Sequence, residues 1–266
     1  MPKITTHAPG TFCWADLATN DAQAAKTFYN SLFGWTFTDM PISEGMTYTM
    51  FHLNGADVAA LAENTEQPPH WNPYVSVESA DDTASQAQSL GAQVIFEPFD
   101  VMDKGRMAVM QDPAGAFLCV WQSKSHHGAG LMGEPGTLSW TELATHDAAK
   151  SSEFYTKLFH WKSVSNEVND TTYTVFMNDD KMVAGMFPIG EEWKEIPSHW
   201  SVFFAVTSCK ESLEKAVSLG AQVIVEPTPV ENFGCFAVLQ DPQGAPFGIV
   251  AMREDCGGLE QEGRCC

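Results

Sequence analysis

Basic residues are scarce in this chain: 14 Lys and Arg stand against 34 Asp and Glu, a formal charge of −20 over 266 residues. Nucleic acid and anionic membrane surfaces are therefore excluded as expected partners, because both repel such a protein. Long apolar runs are missing as well. No stretch approaches the roughly 20 residues of a membrane-spanning helix, and the opening "MPKITTHAPG" lacks the apolar core of a secretory signal. The seven cysteines (Cys13, Cys119, Cys209, Cys235, Cys256, Cys265, Cys266) are odd in number, scattered and in no C-x-x-C pair. That pattern argues against a disulfide framework and a structural zinc site, and predicts reduced thiols. These absences together predict a soluble, cytoplasmic protein. What is present is 44% apolar and 11% aromatic residues, enough to fill one large core or two ordinary ones.

The chain is written twice. "WADLATNDAQAAKTFYNSLFGW", from Trp14, returns as "WTELATHDAAKSSEFYTKLFHW", from Trp140. "SLGAQVIFEP" returns as "SLGAQVIVEP", and "GRMAVMQDPAGA" as "GCFAVLQDPQGA". Each copy spans about 115 residues, an ordinary domain size. The expected division is a first domain over 1–123, a Gly-, His- and Ser-rich linker over 124–136, a second domain over 137–253 and a polar, mobile tail over 254–266.

Periodicity changes regularly within each copy. "TFCWADLA" alternates as a strand, and Ala25, Phe28, Tyr29, Leu32 and Phe33 then follow helical spacing behind Asn20-Asp21. Strands follow at "MTYTMFHL" and "DVAALA". The order then repeats: strand "PYVSV", a helix from Ser79 to Leu90, and strands "QVIFEP", "RMAVMQD" and "FLCVWQ". In the second copy Ser208 and Glu211 form a capping box and Gly220 closes the helix. The predicted fold class is α+β: two tandem domains, each of paired βαβββ modules forming a curved, eight-stranded cleft.

This order resembles the vicinal oxygen chelate superfamily, which includes glyoxalase I, bleomycin resistance proteins, fosfomycin resistance enzymes and extradiol dioxygenases. The resemblance rests on Asp21…Phe28-Tyr29…Leu32…Trp35 with Asp112-Pro113-Ala114-Gly115. The second copy matches with Asp147…Phe154-Tyr155…Leu158…Trp161 and Asp241-Pro242-Gln243-Gly244. It implies four metal-ligand positions per cleft. In the first copy these fall on Trp14, Ala60, Asn72 and Cys119, and in the second on Trp140, Gly185, Ser201 and Gly248. An indole has no lone pair to give a metal, and Ala or Gly offers nothing. No metal and no cofactor are therefore expected at the family position.

Strand alternation puts Phe12, Trp14 and Asp16 on one face, which should line the cleft. Asp16 and Glu142 are candidate general bases, with the alternative that they brace neighbouring strands. His70 and His199 hold matching places and can shuttle protons, or each can simply hydrogen-bond a loop carbonyl. Tyr48 and Tyr173, matched in "TYT", offer phenolic hydroxyls or plain packing. Arg106, present only in the first copy, binds a ligand carboxylate or pairs with a surface acid. Cys119 is a nucleophile or a buried inert thiol. Ligand-binding candidates are thus Phe12, Trp14, Tyr48, Asn72, Arg106, Cys119, Trp140, Tyr173 and Ser201.

The expected function is metal-independent binding or detoxification of a small molecule, cationic or carbonyl-containing, as bleomycin resistance proteins bind without metal. The alternative is a glyoxalase-like lyase or isomerase acting on a small carbonyl compound, with Asp16 or Glu142 as base. A monomer or a homodimer is compatible with the doubled chain.

Overall fold

The computed structural model describes residues 3–43, 45–168, 171–231, 233–252 and 266. The expected tail lies, but for Cys266, outside the described residues.

The first half runs β1 (Phe12–Thr19), α1 (Ala22–Phe33), β2 (Thr36–Ser43), β3 (Met46–Leu53), β4 (Ala56–Glu63), β5 (His70–Ser76), α2 (Ala80–Ser89), β6 (Gln93–Val101), β7 (Gly105–Gln111) and β8 (Phe117–Ser123). The second half repeats it as β9 (Leu138–Thr145), α3 (Ala148–Phe159), β10 (Lys162–Val168), β11 (Thr171–Asn178), β12 (Lys181–Pro188), β13 (His199–Ala205), α4 (Cys209–Ser218), β14 (Gln222–Val230), β15 (Gly234–Gln240) and β16 (Pro246–Met252). Each half forms one curled eight-stranded sheet, ordered β2-β3-β4-β1-β5-β8-β7-β6 and β10-β11-β12-β9-β13-β16-β15-β14. No helix among the described residues is long and apolar enough to cross a membrane.

Local signals place the helices as expected. Asp21 caps α1 by accepting the Ala24 amide at 2.9 Å, and Gly34 ends that helix in the left-handed region at φ 74°. Ser208 caps α4 in the same way, accepting the Glu211 amide at 3.3 Å.

The two halves share their cores crosswise. Phe28, Tyr29 and Leu32 of α1 pack with Phe204, Phe247 and Ile249 of the second half. Reciprocally, Phe154, Tyr155 and Leu158 of α3 pack with Val75, Met110 and Val120 of the first. A matched pair of buried hydrogen-bond relays fixes this exchange. Trp71 Nε1 donates to the Tyr29 hydroxyl at 3.0 Å, which donates to Asp241 Oδ2 at 3.0 Å; Trp200, Tyr155 and Asp112 repeat the chain at 2.8 and 2.9 Å. The aspartates of the two D-P-x-G turns therefore lock one half to the other, a structural role for motifs expected to carry fold.

The segment between the two copies and the thiols each take a defined place. Segment 124–136 is a strap held to the first sheet: the amides of Ala129 and Gly130 donate to the carbonyls of Cys13 and Asp57 at 2.8 and 2.7 Å. Gly128 is required there, since at φ 102° a Cβ would sit 2.5 Å from the Cys13 carbonyl oxygen. One expectation changes, and it concerns the thiols. Cys235 forms a disulfide with Cys266, whereas Cys13, Cys119 and Cys209 are free and buried. Sequence spacing hides that pair because its two members stand 31 residues apart.

Candidate binding cleft

The site begins with a β-bulge. Phe12 pairs with Val75 and Trp14 with Tyr74, so Cys13 is an extra residue and the alternation slips by one. Trp14 and Asp16 consequently face the concave side of the sheet, and Phe12 does not. Its ring packs instead against Trp200 and Trp161, with centroids 5.1 and 6.1 Å apart, in the crosswise core. This corrects the expected ligand contact at Phe12: plain alternation cannot register a bulge.

Ladder partners bring the remaining concave residues together. Asp16 lies opposite Asn72 on one side and Ala60 on the other, while Trp14 faces Tyr74, itself level with Cys119. The Asp16 carboxylate accepts Tyr74 Oη at 2.8 Å, Tyr48 Oη at 3.0 Å and Asn72 Nδ2 at 3.0 Å, and Trp14 Nε1 donates to Tyr48 Oη at 3.1 Å. Burial pushes the Asp16 carboxyl up, and these three donors pull against that shift. With both oxygens occupied, Asp16 is built as a brace for two tyrosines rather than as a free base. Burial and the adjacent Asp16 charge also push the Cys119 thiol far up, which makes it an inert buried thiol.

Above this floor lies a cavity of about 390 Å³. Its body is apolar and aromatic, walled by Trp14, Trp121, Tyr74, Met50 and Met107, and its polar rim carries Thr38, His52, Asp57, Lys104, Ser125 and His126. The size and lining are those of a small-molecule site. His126 comes from the strap and stands edge-on to Trp14, with ring centroids 4.6 Å apart.

Arg106 is not part of this cavity. Its guanidinium makes a two-pronged contact with Asp81 of α2 at 2.6 and 2.8 Å, so the expectation of a ligand contact is corrected in favour of a surface ion pair. His70 and His199 each hydrogen-bond through Nδ1 to a proline carbonyl two residues before, at 2.8 Å, and stand outside the cavity lining.

The second cleft has the same plan with fewer partners. Trp140 Nε1 donates to Tyr173 Oη at 3.2 Å, which donates to Glu142 at 2.6 Å. Ser201 and Phe203 replace Asn72 and Tyr74 at the ladder positions beside Glu142 and Trp140. Burial, opposed only by the Tyr173 hydrogen bond, raises Glu142 from an ordinary 4.5 to about 7.

A proton held to higher pH in the folded state than in the unfolded chain gives stability that is complete below pH 4.5 and lost as pH rises through 7. Glu142→Gln keeps the shape without the charge. It is expected to match the wild type at pH 4.5 and to exceed it by about 1–3 kcal/mol at pH 8. Urea denaturation at the two pH values checks this, and an unchanged difference between them contradicts it.

The family's metal positions do not suit a metal ion. In the first cleft they present an indole, a methyl group, an amide already bonded to Asp16 and a thiol held protonated. In the second, a Cβ at Gly185 would fall 1.9 Å from Tyr173 Oη, and one at Gly248 would fall 2.1 Å from the Phe203 ring. Among the described residues no three His, Cys, Asp or Glu side chains gather as a metal site.

Two curled sheets from a duplicated βαβββ pattern, each with a concave site, define the class. The chain belongs to the Glyoxalase/Bleomycin resistance protein/Dioxygenase superfamily, whose sequence profile matches residues 11–120 and 137–249. It is 39% identical over 257 residues to "Putative glyoxylase CFP32" of Mycobacterium tuberculosis, covering 94% of this chain and 98% of that protein. It is 34% identical over 267 residues to "Anthracycline biosynthesis protein DnrV" of Streptomyces peucetius, covering 94% and 96%. Among solved structures it is similar to the Mn(II)-bound glyoxalase from Novosphingobium aromaticivorans, with TM-score 0.66, 15% identity and 94% and 83% coverage. The 2,3-dioxygenase LapB from Pseudomonas sp. KL28 is likewise similar, with TM-score 0.65, 14% identity and 95% and 94% coverage. At such identities these two structures speak for the fold alone.

Sequence reasoning brought Trp14, Asp16, Tyr48, Asn72 and Cys119 to the first cleft, and Trp140, Glu142, Tyr173 and Ser201 to the second. It missed Tyr74, His52, Asp57 and His126. Tyr74 was within reach, since it stands two residues after Asn72 on the same strand face. The other three depend on which strands neighbour one another and on the path of the strap.

Proposed function

We propose that the protein binds a small, planar, oxygen-bearing molecule without using a metal, and that the first cleft is the binding site. The observation that carries this reading is the 390 Å³ cavity of aromatic and methionine side chains standing over a carboxylate already satisfied by three donors. Flat aromatic ligands stack on indole and phenol faces, and methionine adapts to their outline. The relatives named for anthracycline biosynthesis support a fused-ring ligand class, because anthracyclines carry planar, oxygenated rings. The rim's Lys104 and His126 fit a carbonyl or hydroxyl oxygen better than a cation.

Titration with 9,10-anthraquinone, followed by quenching of tryptophan fluorescence, tests the reading. One saturable site per chain is expected, and strictly linear, non-saturating quenching contradicts it.

The second cleft supports a second reading. A carboxyl raised to about 7 and held by one hydroxyl suits a general base at neutral pH, so lyase or isomerase chemistry on a carbonyl compound is assigned to Glu142 rather than to Asp16. Turnover of a methylglyoxal–thiol adduct that disappears in Glu142→Gln supports this reading, and equal turnover in that variant removes it.

A further inference from the structure

The outer wall of the first cleft carries a second polar cluster to which the reading above gives no task. His52 on β3 lies between Asp57 on β4 and Thr38 on β2: Nδ1 stands 2.8 Å from Asp57 Oδ1, and Nε2 stands 3.1 Å from Thr38 Oγ1. All three side chains line the cavity.

An ionised Asp57 can only accept, so His52 Nδ1 carries the hydrogen, and in the neutral imidazole Nε2 then presents a lone pair on which the Thr38 hydroxyl donates. An imidazole oriented by a carboxylate, with its second nitrogen facing a hydroxyl, is the arrangement by which proteins take a proton from an O–H group. Thr38 is exposed, so its hydroxyl can turn aside for an incoming one. The groups facing the cluster are Lys104 and His126 on the same rim, with His126 Nδ1 3.9 Å from Asp57 Oδ2.

Comparison of the two halves argues that the three residues belong together. His52 pairs with Asp57 across β3 and β4, and Met177 pairs with Met182 at the same place across β11 and β12. Thr38 pairs with Met50, and Val164 pairs with Val175 at the corresponding step. The second half thus has Val164, Met177 and Met182 where the first has Thr38, His52 and Asp57. A loss or gain of all three together separates the two clefts chemically, although Trp, Tyr and carboxylate are kept in both.

We propose that Thr38, His52 and Asp57 form a subsite that binds and deprotonates a phenolic or enolic hydroxyl of the ligand, an inference that rests on the planar-ligand reading of the first cleft. The O–H bond of the ligand breaks as its proton passes to His52 Nε2. The electron pair stays on the ligand oxygen, and the imidazolium keeps its Nδ1–H on Asp57. Thr38 then donates to the new oxyanion, and the proton returns on release, so no co-reactant is consumed.

Two probes separate this inference from the reading beneath it. 9,10-Anthraquinone has no hydroxyl, whereas 2-hydroxyanthraquinone has one, and its phenolate absorbs at longer wavelength. At a pH below the free probe's own pKa, wild-type protein is expected to produce the phenolate spectrum on binding 2-hydroxyanthraquinone. His52→Gln should abolish that spectrum and weaken the hydroxylated probe about tenfold more than it weakens 9,10-anthraquinone, which still saturates one site on the variant. Retained saturable 9,10-anthraquinone binding also certifies that the variant is folded. Asp57→Asn should likewise lose the phenolate spectrum. If both probes bind wild type and His52→Gln equally and no phenolate forms, the subsite is overturned and the planar-ligand reading stands. If neither probe binds wild type, both fall together.

Discussion

Asp241→Ala is expected to destabilise the protein by about 3–5 kcal/mol, since two buried donors and one half-buried donor lose their acceptor at once. Asp241 is 2% exposed and accepts the Tyr29 hydroxyl at 3.0 Å together with the amides of Gln243 and Ala245, both at 2.9 Å. A buried donor left alone costs about 1–3 kcal/mol, and water entering the turn relieves part of that sum. Tyr29 belongs to the first half, so the damage crosses the halves. Because each core mixes residues of both halves, wild type and variant should each unfold in one transition by fluorescence and circular dichroism. Asp241→Asn retains an acceptor oxygen and should recover about half of the loss. A loss below about 1 kcal/mol in Asp241→Ala would contradict the interlock.

Trp14→Ala is expected to weaken 9,10-anthraquinone binding by about 30-fold to 1,000-fold, the range for a central aromatic anchor. The indole forms the floor of the cavity and holds Tyr48 in line with Asp16 through its 3.1 Å hydrogen bond. Truncation removes the stacking face and frees the phenol beside it. Trp140→Ala, the same change in the second cleft, should alter this affinity by less than about threefold, because it is remote from the cavity that binds. Fluorescence titration of both variants checks the contrast. Equal losses would mean that the first cleft is not the principal site.

The fold was legible in the sequence because its signals are local. Asp21 before an apolar helical stripe, Gly34 after it and the D-P-x-G turns each state their structure within a few residues, and the duplication states it twice. The concave face was legible through Trp14 and Asp16, since period-two alternation needs no distant information. Phe12 escaped because one extra residue in a strand reverses every side chain before it. Arg106 offered two partners to the reader, and only the approach of α2 to β7 selects Asp81. His52, Asp57 and His126 belong to one rim only after β3, β4 and the strap have been set in place. The crosswise core has no sequence signature, since Phe28 and Phe247 are ordinary apolar positions until two halves pack.

The resemblance to metal-using relatives gives the first cleft its sharpest test. Where those relatives need metal ligands, this chain presents indole, methyl, amide and buried thiol, and it fills the remaining space with tyrosines braced on Asp16. The decisive measurement is the 9,10-anthraquinone titration repeated on protein purified without chelator and on the same protein after exhaustive chelation, with metal content determined on both. The account predicts less than one-tenth of an equivalent of divalent metal per chain in each sample and superimposable binding curves. A stoichiometric metal in the first sample, with binding lost on its removal and restored on its return, would contradict the account.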